Sequence, residues 1–260
     1  MITGISTACF FGRRETEDCF EIIKELGAEV CEVFLQTFYE YRPEFAKKFA
    51  PLCDGLKVNS VHALTSDFEP HLFSEGRRQR GDGFYWLDQI LRSAQLFGAE
   101  NYTFHGFNRR SESDDFDYLA ERLREAAAFC ARYGVKFCLE NVWWSLYNRP
   151  AVFKELKRRI PELCGVFDIK QARQSGYPYQ AYIEDMAGSI AYAHLSDVDE
   201  RGNICLPGKG IYDFTEILKR LKGAGFDGNI IIEVYSRNFG DIEELRQSLE
   251  FLKETYEKVF

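Results

Sequence analysis

Eight short apolar runs, each followed by a longer segment, constrain this chain more than any other feature. They are ITGIS (2–6), EVCEVFL (29–35), KVNSVHA (57–63), NYTFHG (101–106), VKFCLEN (135–141), CGVFD (164–168), IAYAHLS (190–196) and NIIIEVY (229–235). All are strand-length and rich in β-branched and aromatic residues. The segments between them read as helices. ETEDCFEIIKELGA carries Phe20, Ile23 and Leu26 on one face and stops at Gly27. FYWLDQILRSAQLFGA ends in the same way, and DDFDYLAERLREAAAFCARYG opens on Ser/Asp capping residues and closes at Gly134. YDFTEILKRLKGAG and DIEELRQSLEFLKETYEKV follow the same plan, and 42–54, 148–160 and 178–187 are shorter helix candidates. Eight strand–helix units over 260 residues, with no Pro/Gly/Ser linker, predict an α/β chain. The expected fold is a single (β/α)8 TIM barrel domain over residues 1–260. A doubly wound open sheet is the alternative, but no Gly-x-Gly-x-x-Gly follows the first run, so its dinucleotide-binding form lacks support.

A hydrophobic content of 45% is enough for a sizeable core. The net charge of −8 disfavours non-specific attraction to nucleic acid or to an anionic membrane, so neither is expected as a partner. MITGISTACFFGRR lacks the basic stretch of a secretory signal, and no apolar run is long enough to span a bilayer. The eight cysteines are scattered without a Cys-x-x-Cys pair, which argues against a zinc knuckle and for a reducing, cytoplasmic setting.

Side chains of a barrel strand alternate between the interior and the helix layer. If Phe137 and Leu139 face the helices, Glu140 points inward. The same parity turns Asp168, Tyr192, His194 and Glu233 inward, and His62 and His105 on the third and fourth runs. Apart from Tyr192, these residues stand near the C-terminal end of their run, the face where barrels carry active sites. Three carboxylates cannot share a small cavity as free anions, so either their pKa values rise or a cation neutralises them. Three oxygen donors and one imidazole suit a single divalent ion: Mn²⁺, Zn²⁺, Mg²⁺ or Co²⁺. Asp168 ends the apolar run of CGVFDIKQARQSG, so it can equally be the cap of a helix.

The ordered marks His62, His105, LEN (139–141), FD (167–168), AHLSD (193–197), PGKG (207–210) and IIIEVY (230–235) run through most of the chain. As a set they resemble the xylose-isomerase-like barrels. That superfamily includes D-tagatose 3-epimerase-like enzymes, hydroxypyruvate isomerases, inosose dehydratases and abasic-site endonucleases. The resemblance implies Glu140, Asp168, His194 and Glu233 as metal ligands, with Glu140 and Glu233 doubling as acid/base groups. It also implies that His62 and His105 line the substrate pocket, and aligns Arg201 loosely with a substrate-binding arginine. Three departures stand out. Epimerase relatives carry a His where Gln171 stands and an acid where Leu146 stands. The stretch RGNICLPGKG lacks the Asp-x-His of the endonucleases, so a trinuclear zinc site is incomplete.

The expected function is isomerisation or epimerisation of a small sugar, keto-sugar or sugar phosphate, by proton transfer through a metal-stabilised enediolate. Lys170 and Gln171 are candidate grips on the substrate. Lys209 is either a phosphate contact or a solvated loop lysine. His71 is expected to be solvated or on a lid. Trp143 and Trp144 offer an apolar wall to a sugar, or one of them packs on the outer helices; Trp143 joins the candidate substrate contacts. The alternatives are a lyase using the same metal, an abasic-site-type phosphodiesterase and a non-catalytic sugar-binding barrel. The tail LRQSLEFLKETYEKVF either lies along the barrel or pairs with a second subunit.

Overall fold

Parallel pairing closes the sheet on itself. A computed structural model describes residues 2–64, 67–106 and 115–260. In it β1 (Thr3–Ser6), β2 (Val30–Leu35), β3 (Lys57–Ala63), β4 (Asn101–Phe104), β5 (Lys136–Glu140), β6 (Cys164–Asp168), β7 (Ile190–Leu195) and β10 (Asn229–Ile232) form a closed barrel. The order around it is β1-β10-β7-β6-β5-β4-β3-β2, with β1 parallel to both β10 and β2. Each of the eight apolar runs supplies one barrel strand. A short antiparallel hairpin, β8 (Asp197–Val198) and β9 (Ile204–Cys205), adds a feature the apolar pattern does not carry.

Helices α1 (Cys19–Glu25), α2 (Pro43–Phe49), α3 (Arg77–Phe97), α4 (Phe116–Ala131), α5 (Pro150–Arg159), α6 (Ile169–Ser175), α7 (Tyr179–Asp185), α8 (Phe214–Gly223) and α9 (Ile242–Val259) fill the connections. Side chains fix their ends. The Asp115 carboxylate accepts from the Asp117 and Tyr118 amides at the start of α4. Asp241 and Glu244 form a reciprocal capping box on α9. Helix α3 starts well before its apolar stripe, because the Arg- and Gly-rich opening RRQRGDG has no helical periodicity to read. Its Gly83 packs against the 3-10 turn Glu69–Phe73, where an added Cβ would stand 3.1 Å from the Leu72 amide nitrogen. Leu245, Leu249 and Leu252 of α9 are buried, so the C-terminal helix lies along the barrel.

Two apolar layers result. The larger lies between strands and helices. The smaller, Val30, Cys138, Val166, Tyr192 and Ile231, plugs the barrel interior. Val166 pairs with Tyr192 and Asp168 with His194 across β6 and β7. Alternation therefore puts the polar pair one layer above the plug, towards the C-terminal face. All eight cysteines are free. Among the described residues, no helix is long and apolar enough to cross a membrane.

Candidate metal centre

Glu140 ends β5, Asp168 ends β6, His194 lies on β7, and Glu233 follows β10 directly. One ligand atom from each lies within 4.8 Å of all the others, and all four residues are buried. The point of convergence is Nδ1 of His194. It stands 3.0 Å from Glu140 Oε1, 3.0 Å from Glu233 Oε2 and 3.8 Å from Asp168 Oδ2. Asp168 Oδ2 and Glu233 Oε2 are buried without a hydrogen bond. Such orphaned oxygens demand a partner, and a divalent cation with oxygen and imidazole ligands supplies one. The donor set fits a metal.

Asp168 is both cap and candidate ligand. Its Oδ1 accepts from the Gln171 amide at 2.8 Å, capping α6, while Oδ2 faces the cluster. Asn141 locks the ends of β5 and β6 together: its side chain accepts from the Asp168 amide at 2.8 Å and donates to the Asp168 carbonyl at 2.7 Å. Burial pushes the Asp168 carboxyl up, and Glu140 and Glu233 add to this against the pull of Lys170. Lys170 is itself buried. Its ammonium stands 2.7 Å from Glu233 Oε1, 3.5 Å from Asp168 Oδ2 and 4.9 Å from the centre of the Tyr235 ring. Burial opposes its charge, but Asp168 and Glu233 hold its pKa well above the ordinary lysine value. Gln171 faces β5, where its Oε1 accepts from the Trp143 amide at 3.3 Å.

Below the cluster lies a carboxylate that the strand-end reasoning misses. Glu32, mid-β2 and fully buried, stands 3.1 Å from His194 Nε2. Burial would raise its carboxyl, yet the facing His194 and His62 imidazoles hold it well below the usual carboxylate range. The available signal was a lone Glu inside the apolar run EVCEVFL. His62 and His105 meet edge to face with ring centres 4.4 Å apart, and His105 Nε2 contacts Glu140 Oε2. His62, His105 and Glu140 thus form a second buried group with metal-ligand character, sharing Glu140 with the first.

A cavity of about 410 Å³ opens beside these groups, lined by Phe34, His62, His105, Trp144, Lys170 and Tyr235 among others. Of the tryptophan pair it is Trp144 that lines it, with its ring 5.8 Å from His105. Trp143, expected against a sugar, leaves its side chain 45% exposed and outside the lining. Arg201 lies in the exposed turn between β8 and β9, also outside the lining. Lys209 reaches outward to Gln247 of α9 at 2.6 Å. His71, expected to be solvated or on a lid, is half-buried in the 3-10 turn after β3. The Asp of AHLSD and the glycines of PGKG serve each other. Buried Asp197 accepts from the amides of Val198, Gly208, Gly210 and Tyr212 and so shapes the loop after β7.

Fold and site together define a parallel (β/α)8 barrel with a buried carboxylate–imidazole centre at the C-terminal ends of its strands. The chain belongs to the xylose isomerase-like TIM-barrel family, which it matches over residues 20–255. It is 28% identical to an uncharacterized protein of Methanocaldococcus jannaschii, over 98% of this chain and 91% of that protein. Among solved structures it is similar to a D-tagatose 3-epimerase-like protein, with 25% identity, a TM-score of 0.79 and 100% and 98% of the two chains covered. It also shares its fold with the IOLI protein with a bound zinc atom, with 17% identity, a TM-score of 0.81 and 100% and 99% covered.

Proposed function

We propose that this chain is a divalent-metal-dependent isomerase or epimerase of a small sugar, keto-sugar or sugar phosphate, working as one barrel domain over residues 1–260. One observation carries the reading. Glu140 and Glu233 approach a common point from strands with two others between them, and each holds one oxygen towards His194 Nδ1. The second oxygen of each meets a nitrogen, His105 Nε2 for Glu140 and the Lys170 ammonium for Glu233. Two carboxylates so placed are equipped to serve two faces of one small molecule.

Glu140, Asp168, His194 and Glu233 would hold the metal. When bound, a divalent ion supplies Lewis acidity towards a carbonyl oxygen and the hydroxyl beside it. One glutamate takes the proton from the carbon next to the carbonyl. If the other glutamate returns a proton on the opposite face, the product is an epimer. If the first returns it to the former carbonyl carbon while the proton of the neighbouring hydroxyl passes to the former carbonyl oxygen, the product is an isomer. Lys170 and the free amide nitrogen of Gln171 offer donors to substrate hydroxyls, while Phe34, Trp144 and Tyr235 cover the carbon face and keep water out. The likeness to a D-tagatose 3-epimerase-like structure supports the reaction class, and the zinc of the IOLI structure supports the metal.

A second reading, metal-assisted hydrolysis, draws on the His62–His105–Glu140 group that shares Glu140 with the main centre. One experiment separates the two. Bound metal is quantified, then the protein is incubated in D₂O with a panel of ketoses and ketose phosphates, and carbon-bound deuterium is followed by NMR. One metal per chain with deuterium incorporation is expected. Loss of water from the substrate would point to a lyase. Two metals with cleavage of an abasic duplex would point to hydrolysis. No metal and no exchange would leave the proposal without support.

A further inference from the structure

We infer that Glu32 is a positioning residue that decides which nitrogen of His194 faces the metal. The inference rests on the metal-dependent reading above. Glu32 has no exposed surface and sits beneath the centre in mid-β2. Its Oε2 stands 3.1 Å from His194 Nε2 and accepts from Ser60 Oγ at 2.8 Å and Thr103 Oγ1 at 2.8 Å. Its Oε1 accepts from Ser6 Oγ at 3.1 Å and faces His62 Nδ1 at 3.5 Å. Three hydroxyls and two imidazoles from four other strands thus converge on one carboxylate. Its Oε2 is taken up by two hydroxyls and the His194 imidazole on the floor of the barrel, so that oxygen holds the candidate ligand from behind.

His194 Nδ1 faces the point where Glu140, Asp168 and Glu233 converge, and Nε2 faces Glu32 on the other side of the ring. An ion held at that point would need the Nδ1 lone pair, which leaves the ring proton on Nε2, against a carboxylate already fixed by three hydroxyl donors. With the proton on Nε2, Nδ1 presents its lone pair to the point where Glu140, Asp168 and Glu233 converge. A carboxylate behind a ligating imidazole fixes its tautomer and ring orientation and makes it a stronger ligand. The hydroxyls of Ser6, Ser60 and Thr103 hold that carboxylate in place without adding charge.

The test uses ¹⁵N-histidine-labelled protein loaded with Zn²⁺. Long-range ¹H–¹⁵N correlation spectra report the protonation of each His194 nitrogen, and competition with a chelator gives zinc affinity. The wild type is expected to carry its His194 proton on Nε2, slow to exchange with solvent, with zinc on Nδ1. Glu32→Gln is expected to weaken zinc about tenfold to a hundredfold and to speed exchange of the Nε2 proton. Urea unfolding of both metal-free proteins checks that the variant folds, and the wild-type spectrum decides the tautomer even if it does not. Zinc on Nε2 in the wild type overturns the inference. So does a folded Glu32→Gln with unchanged affinity and unchanged exchange. Failure of the wild type to take up zinc would overturn the metal-dependent reading as well, whereas zinc on the wrong nitrogen removes only the role given to Glu32.

Discussion

Replacing Lys170 by Met removes one charge from the centre while keeping most of the length of the unbranched side chain. The ammonium is 2% exposed and ion-pairs with Glu233 at 2.7 Å and Asp168 at 3.5 Å. Deleting one partner of a buried pair leaves the other desolvated and uncompensated, at a cost of about 3–5 kcal/mol. In a chain of this size that corresponds to a fall in Tm of about 10 °C for the metal-free protein. The metal-loaded protein behaves oppositely. An ammonium touching two of the proposed ligand carboxylates would repel a dication at the same point, and relief of about 1.4 kcal/mol of that repulsion already tightens binding tenfold. Lys170→Met is therefore expected to be less stable than wild type without metal, to bind Mn²⁺ at least tenfold more tightly, and to show a larger Tm gain on adding it. Thermal unfolding with and without Mn²⁺, beside a direct titration, measures all three. A variant as stable as wild type without metal, binding Mn²⁺ no more tightly, would refute the placement of Lys170 against the metal carboxylates.

Three further outcomes follow from particular contacts. Glu140→Gln and Glu233→Gln should each fold and each reduce solvent proton exchange into substrate by at least a hundredfold; retention of wild-type exchange by either excludes it as the base. Glu69 holds the chain after β4 by accepting from the amides of His105 and Gly106, and burial pushes its carboxyl up to about 8 from an ordinary value of 4.5. A carboxyl raised on folding contributes stability fully below about pH 4.5 and loses it as the pH climbs through about 8. Glu69→Gln should gain stability relative to wild type by a few kcal/mol between those limits, and urea melts whose difference stays constant with pH would contradict this. Gly210→Ala would put a Cβ 2.2 Å from the Val198 carbonyl oxygen and 2.5 Å from Asp197 Oδ1. It should lower Tm by several degrees, and an unchanged Tm would show that the loop after β7 is not held as described.

The barrel was legible because each strand announces itself as an apolar run, and strand parity then placed Glu140, Asp168, His194 and Glu233 without a structure. Parity fails where a site residue breaks its assumptions. Glu32 was missed because it sits mid-strand, one layer below the strand ends where barrel chemistry is sought. Trp143 and Trp144 follow the end of β5, where the period of two no longer applies, and the side chain that lines the cavity proved to be the second. Arg201 was aligned by spacing alone across a hairpin that no apolar pattern reveals. The sequence allows Asp168 to be a cap or a ligand, and its two oxygens divide the tasks: Oδ1 holds the Gln171 amide and Oδ2 faces the centre. Gln171, the other residue held at the start of α6, supports the backbone of Trp143 with its oxygen.

The central claim is that four side chains hold one divalent ion. Anomalous diffraction from crystals grown with Mn²⁺ tests it most directly. The expected result is one strong peak per chain, about 2.0–2.2 Å from His194 Nδ1 and from a carboxylate oxygen each of Glu140, Asp168 and Glu233. No peak among these four residues at saturating Mn²⁺, or a peak ligated elsewhere in the barrel, would contradict the account.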